Sequence, residues 1–242
     1  MSAGEVMDGA LDCGPARTVA EAAFSRRSVR AFLRRDVDSE LIEEVLRTAA
    51  TAPSGSNTQP WRAYVLSGAR LRVLGGALRD AYLADEPRRP DYEHYASPLP
   101  DPYRERRRTC GWGLYGALGI ARGERERSKA YRATNYEFFN APVGMVFTIN
   151  RNLAPGSWID YGMFLQTAML AARGLGLHTC AEGSIAEYPD IVRDRLSLAR
   201  DELVLCGMAI GYADPSAPIN AYQPRRSAVS EFATFLDDRT PP

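Results

Sequence analysis

Two apolar runs, APVGMVFTI (Ala141–Ile149) and ELVLCGMAIGY (Glu202–Tyr212), narrow the folds open to this chain more than any other feature. Each has strand length, and neither alternates polar with apolar residues, so both read as strands buried on two faces. Such strands need helices above and below. The stretch SWIDYGMFLQTAMLAARGLG between them supplies one. Tyr161, Leu165, Ala168 and Ala172 fall on one helical face, Ser157 is placed to cap the start, and Gly174 to end it.

The same reading extends along the chain. TVAEAAFSRR (Thr18–Arg27) predicts a short helix capped by Thr18, with Glu21 at the third position. Asp38 is placed to cap a second helix, in which Leu41, Ile42, Val45, Leu46 and Ala49 share a face and which Pro53 stops. RAYVLSG (Arg62–Gly68) and LHTCAEG (Leu177–Gly183) read as strands. Leu71, Leu74, Leu78 and Tyr82 mark a helix, and YPDIVRDRL (Tyr188–Leu196) another. Asp85–Arg108, rich in Pro, Tyr and charge, predicts a long loop leading into a Gly-rich helical stretch, and loops of that length commonly serve as lids. The strands are few and mixed with helices, with no repeat and no linker. The 242 residues thus predict residues 1–18 as a flexible leader and 19–242 as one domain, with 84–139 as a variable lid and substrate region and 213–242 as an extended tail.

Bulk chemistry removes several functions. Lys plus Arg equals Asp plus Glu at 30 each, which argues against nucleic acid as the main partner. No apolar run approaches the ~20 residues of a membrane span. The four cysteines are scattered without a CxxC and only two histidines are present, so no metal site is expected. Separated cysteines fit reduced thiols in a cytoplasm. There is no GxGxxG, no GxxxxGK[ST] and no GxSxG. His178 reads as structural and His94 as an exposed loop residue.

Four short stretches carry chemistry. RRSVR places Arg26, Arg27, Ser28 and Arg30 together, and arginine forks match phosphate or another oxyanion bidentately; a solvated helix end is the alternative. TAPSGSNTQPW (Thr51–Trp61) concentrates turn formers and two amides, Asn57 and Gln59, ahead of an aromatic. It suits either the edge of a planar heterocycle or a plain helix-to-strand turn with Trp61 in the core. AEGS (Ala181–Ser184) offers a glycine at which a ligand can approach backbone N–H, or simply a turn. QPRRS (Gln223–Ser227) adds Arg225 and Arg226. The RERRR run (Arg104–Arg108) is a solvated helix face or an attractor of an anion, such as the 2′-phosphate of NADPH or an aromatic carboxylate.

Taken in order, RRSVRAF, APSGSNTQPW, WIDYG…LAARGLGLHTCAEG, AIGYADP and PRRSAVSEF closely resemble the FMN-dependent nitroreductase family, and most of all its nitrobenzoate-reductase type. The resemblance spans roughly 20–66 and 140–235. It implies an α+β fold, a mixed and mainly antiparallel sheet flanked by helices, in an intertwined homodimer with two flavins at the interface. It implies FMN as cofactor and NAD(P)H, NADPH favoured, as donor in a ping-pong reduction of nitroaromatic or similar electron-poor aromatic substrates. Quinone or enone reduction, dehalogenation or dehydrogenation on the same scaffold is the alternative, as is a flavin carrier or sensor without turnover. By position, Arg26 and Ser28 would take the phosphate and ribityl end with Arg27 nearby, and Arg30 the N1/C2-carbonyl edge. Pro53, Ser54, Gly55, Ser56, Asn57 and Gln59 resemble the turn that crosses to the partner's flavin. Glu182 and Gly183 match the segment beside N5, and Arg226 with Arg225 the late phosphate position, where the family's common basic residue two places before Arg226 is Pro224. Trp112, Tyr115 and Phe138 or Phe139 are expected either to stack on substrate or to pack in the core. No residue is assigned a catalytic side-chain role, because N5 of the flavin carries the reaction.

Overall fold

The two continuous apolar runs form the centre of one sheet in the structure, a computed structural model that describes residues 11–236. The sheet has four strands, β1 (Arg62–Ser67), β2 (Val143–Asn150), β3 (His178–Glu182) and β4 (Glu202–Gly211), in the order β1-β2-β4-β3. Every strand pair is antiparallel, with Tyr64 opposite Val146, Val146 opposite Gly207 and Ala181 opposite Met208. A single parallel bridge, Ser28 to Thr179, adds the segment before residue 30 to the β3 edge.

Period-2 alternation divides the core between the two faces. Met145, Phe147 and Ile149 pack against α2 (Ser39–Ala49) and α6 (Gly156–Gly174), while Val146 packs against α3 (Gly68–Leu83) and α7 (Pro189–Leu196). This explains why β2 and β4 are apolar on both sides. Helix α1 (Val19–Ser25) lies at the C-terminal end of α6, and Thr18 caps it by accepting the Glu21 N–H at 3.1 Å. Asp38 precedes α2 but makes no side-chain cap bond.

The lid region is more helical than its sequence indicates. The loop ends at Pro102 and α4 runs Tyr103–Ala117, with ion pairs three residues apart, Arg104–Asp101 and Arg108–Glu105, at its N-terminal end. A further helix, α5 (Arg125–Ala133), has no apolar stripe in its sequence and is tied by Arg127–Glu124 and Lys129–Asp85. Helix α6 begins at Gly156 after Pro155 rather than from a Ser157 cap, and runs through Gly174; the left-handed turn comes at Gly176 (φ 74°). In the tail, α8 (Pro218–Ala221) and a turn at Val229–Glu231 interrupt an otherwise extended path.

Of the leader expected to be flexible, residues 1–10 lie outside the described residues. Residues 11–18 are docked. Arg173, buried in the last turn of α6, donates Nη2 to Gly14 O at 2.8 Å and Asp12 O at 3.2 Å, and Nε to Ser25 Oγ at 3.1 Å. The tail residues 237–242 also lie outside the described residues.

Candidate active site

The RRSVR segment leaves α1 in extended conformation, and the Val29 N–H donates to Thr179 O at 3.1 Å. Val29 is fully buried. Alternation then turns Arg26, Ser28 and Arg30 to the face opposite Val29, while Arg27 shares the Val29 side, its Nη1 3.5 Å from Asn220 O. The buried Asn220 fixes the segment: Oδ1 accepts the Arg30 N–H at 2.9 Å and Nδ2 donates to Ala31 O and Asp214 O.

Burial, and then the like charge of Arg226, lowers the Arg26 guanidinium from its ordinary value. Two cations brought together in a half-buried place call for an anion. Arg225 is turned outward, 3.9 Å from Glu231 and 87% exposed at its side chain. Of the late pair, Arg226 joins the cluster and Arg225 faces solvent.

Next to these arginines is a set of buried polar atoms without protein partners. Both carboxyl oxygens of Glu182, Thr179 Oγ1 and Ser184 Oγ make no hydrogen bond. Burial pushes the Glu182 carboxyl well above the usual carboxylate range, and Arg30 opposes that shift. Burial also pushes the Cys180 thiol up to about 12. An unpaired buried polar atom costs roughly 1–3 kcal/mol, and these lie beside arginines that have no carboxylate ion-pair partner among the described residues, an arrangement suited to a polar, anionic ligand. These residues fit a flavin mononucleotide, whose phosphate suits the arginines and whose pyrimidine-type edge presents both donors and acceptors.

Gly183, at the end of β3, lies under His94. A Cβ on Gly183 would sit 3.0 Å from His94 Cε1 and 3.2 Å from its Nε2, so a side chain here would push the imidazole outward by a few tenths of an ångström. Tyr92 fixes the imidazole. Its hydroxyl donates to Leu205 O at 2.6 Å and has no second hydrogen, so at 3.0 Å it accepts from His94 Nδ1–H. That assignment leaves Nε2 open. Tyr131, whose hydroxyl is buried without a partner, carries a phenol raised by burial and lowered by Arg30, and meets Tyr115 edge-on.

The TAPSGSNTQPW turn is elsewhere. Ser56, Asn57 and Gln59 all have φ between 47° and 57°, which is costly for residues with a Cβ. Gly55 N donates to Asp160 Oδ2 at 3.2 Å and Ser54 Oγ accepts the Gln59 N–H at 3.0 Å. Pro53, Gly55, Ser56, Asn57 and Gln59 are exposed. Trp61 stacks on Phe164 at 4.9 Å, the core role weighed for it.

The substrate residues divide. Phe138 and Phe139 are buried in the core, 0% and 3% exposed, and Phe138 lies against the bare backbones of Gly144 and Gly207; the core alternative describes them, not stacking on substrate. Trp112 is 54% exposed beneath Arg108 at 4.6 Å. Tyr115 reaches the cluster through Tyr131. Sequence reasoning left out Tyr131, Asn220, Thr179 and Arg173. All are single residues inside ordinary elements, and only the fold brings them together. Among the described residues no group of His, Cys, Asp and Glu could hold a metal ion, and no helix is long and apolar enough to cross a membrane.

Comparison with known proteins identifies the family. The model of the Nitroreductase family matches residues 23–212. The chain is 40% identical over 212 residues to 4-nitrobenzoate reductase of Pseudomonas putida, covering 88% of this chain and 92% of that protein. It is 40% identical over 214 residues to chloronitrobenzene nitroreductase of Comamonas testosteroni, covering 88% and 94%. Among solved structures, the FMN and NADPH-dependent nitroreductase NfnB of sphigopyxis sp. strain HMH superposes with TM-score 0.88 at 37% identity, covering 91% of this chain and 99% of that one. The FMN-dependent NfnB of Mycobacterium smegmatis, solved with NADPH, gives TM-score 0.86 at 34% identity, covering 91% and 100%.

Proposed function

From a chain that belongs to the nitroreductase family, we propose an FMN-dependent NAD(P)H oxidoreductase that reduces nitroaromatic compounds, with the flavin held across a homodimer. The observation that carries the site is the meeting of Arg26, Arg30 and Arg226 with the unpartnered Glu182 carboxyl at the edge of β3.

The roles follow from chemistry. Arg26 and Arg226 take the phosphate, and its charge relieves their mutual repulsion. Ser28 and Arg30 face the ribityl chain and the N1/C2-carbonyl edge, where a cation favours the reduced ring. Burial holds the Glu182 carboxyl well above the usual carboxylate range, which favours its proton-bearing form, and Gly183 would present its backbone to N5. When bound, FMN supplies a two-electron relay from nicotinamide to nitro group. The chain contributes binding, orientation and a shaped face over Gly183, closed by His94 and Tyr92. NADPH is favoured over NADH. The free cysteines at 13, 110, 180 and 206 are in keeping with a cytoplasmic setting.

The homodimer rests on two observations. The turn at Ser54–Gln59 and the Arg26 cluster are anchored to opposite ends of α6, by Asp160 and Arg173, about 20 Å apart at 1.5 Å per residue. A second copy brings the turn of one chain to the cluster of the other. In addition, Phe24 on α1, Ile159 on α6 and Phe232, Phe235 and Leu236 in the tail are each 70–80% exposed, an apolar load suited to a subunit interface.

The test is an anaerobic titration of purified, FMN-loaded protein. The flavin band bleaches with NADPH and returns with 4-nitrobenzoate. A protein that takes up no FMN overturns the reading. One that binds FMN but stays yellow with NADPH and NADH leaves only a carrier.

A further inference from the structure

Four arginines lie at the start of α4, and three are matched to carboxylates. Arg104 pairs with Asp101, Arg108 with Glu105 at 2.7 Å, and Arg106 with Glu231 at 3.9 Å and with Ser227 Oγ at 3.0 Å. Arg107 has no carboxylate partner among the described residues. Its guanidinium instead lies 4.4 Å from the centre of the Tyr95 ring. Tyr95 meets His94 edge-on, with ring centres 4.6 Å apart, and His94 rests on Gly183. One cation without a carboxylate partner, placed over an aromatic ring, is thus linked through two side chains to the backbone where the reaction is proposed.

We propose that Arg107 is a specificity-determining residue that binds the carboxylate of an anionic nitroarene while the nitro end faces Gly183. This rests on the flavin reading of the same site and adds the substrate's charge. A guanidinium stacked on a ring keeps its N–H edge free for a bidentate oxyanion. The His94–Tyr95 pair gives an arene an apolar wall between the two ends. The other source of a suitable anion is the 2′-phosphate of NADPH. The aromatic wall favours the arene, and the experiment separates the two.

Wild-type and Arg107→Gln holoenzymes are compared in three measurements: kcat/KM for 4-nitrobenzoate against nitrobenzene, kcat/KM for NADPH against NADH, and Kd of benzoate from its perturbation of the flavin spectrum. Arg107→Gln lowers the nitrobenzoate-to-nitrobenzene ratio about tenfold and raises the benzoate Kd by a similar factor. Arg107→Lys restores part of each effect, and Arg104→Gln leaves the ratio at its wild-type value. Loss of the NADPH-to-NADH preference with an unmoved nitroarene ratio assigns Arg107 to the dinucleotide and overturns the proposal. Equal loss for both arenes, or none, also overturns it. A wild-type protein that reduces neither arene overturns the function beneath it, an outcome distinct from an unmoved ratio in an active enzyme.

Discussion

Gly55 donates its backbone N–H to the Asp160 carboxylate at 3.2 Å, and this bond sets the Ser54–Gln59 turn at the N-terminal end of α6. The anion cluster hangs from the other end, where Arg173 holds Ser25, the residue before Arg26. One helix therefore spaces the two segments that the proposed dimer would bring together.

Arg173 acts through others. Its guanidinium ties Ser25, Leu177 O, Asp12 O and Gly14 O, joining α1, β3 and the leader. Arg173→Met leaves the buried Leu177 O and three part-buried acceptors without their donor and costs roughly 3 kcal/mol of stability, read as a lower Tm. A positioning role shows in a second readout. Arg173→Met weakens FMN more than riboflavin, because the displaced segment carries the phosphate ligand, and Arg173→Lys recovers part of that selectivity. Equal weakening of both flavins assigns Arg173 to stability alone.

Arg26 and Arg226 are neighbours while Arg225 lies beside Glu231, and the three should differ in effect. On the proposed site, Arg26→Ala and Arg226→Ala each remove a charge-assisted contact to phosphate, worth roughly 1.5–3 kcal/mol, and raise the FMN Kd about tenfold to a hundredfold. Arg225→Ala, at a side chain 87% exposed beside Glu231, leaves the FMN Kd within about twofold. Fluorescence quenching of FMN on titration reads all three.

Glu182 predicts a pH dependence of the cofactor-free protein. Its carboxyl is raised above the ordinary value by burial. The unfolded chain therefore loses this proton first as pH rises above the usual carboxylate range, and folding stability falls until the folded carboxyl also ionises. Glu182→Gln removes the penalty. The variant melts higher than wild type at pH 7–8, and the gap closes below about pH 4.5. A constant gap across that range contradicts the buried, protonated carboxyl.

His178 works in the opposite pH direction. Burial, and then Arg173, lowers the imidazole to about 4, and Nε2 meets Asp12 O at 3.0 Å. Between the ordinary His value near 6.5 and about 4 the unfolded chain binds the extra proton, so its contribution is complete above 6.5 and is lost as pH falls toward 4. The loss is on the order of 3 kcal/mol. His178→Gln flattens the acid limb of Tm against pH.

Much of this was legible in the sequence where local pattern and packing agree. Val143–Asn150 and Glu202–Gly211 are apolar on both faces because helices cover both, so the run itself records the burial. Thr18 and Glu21 announce α1 because the cap is made between neighbours. Helix α5 was not legible: Arg125–Ala133 offers only Ala130, Tyr131 and Ala133 as apolar residues and is held by ion pairs to Glu124 and to the distant Asp85. Phe138 was ambiguous because an aromatic before a strand serves a pocket or a core equally, and only the approach of Gly144 and Gly207 decides it. In the site, RRSVR and AEGS stood out by composition. Arg173 and Asn220 did not, since Ser25 and Arg30, which they hold, lie 148 and 190 residues away.

The proposed flavin site is made from the Arg26 cluster of one chain and the Ser54–Gln59 turn of another. The measurement is complementation in a co-expressed, doubly tagged dimer of two impaired chains, one Arg26→Ala/Arg226→Ala and the other with Ser54–Gln59 replaced by a glycine linker of equal length. Each parent homodimer binds FMN weakly and is nearly inactive. In the mixed dimer one site inherits both defects and the other neither. It is predicted to bind one FMN tightly per dimer and to recover about half the wild-type rate with NADPH and 4-nitrobenzoate. A mixed dimer no better than its parents would place the whole site within a single chain and contradict the account.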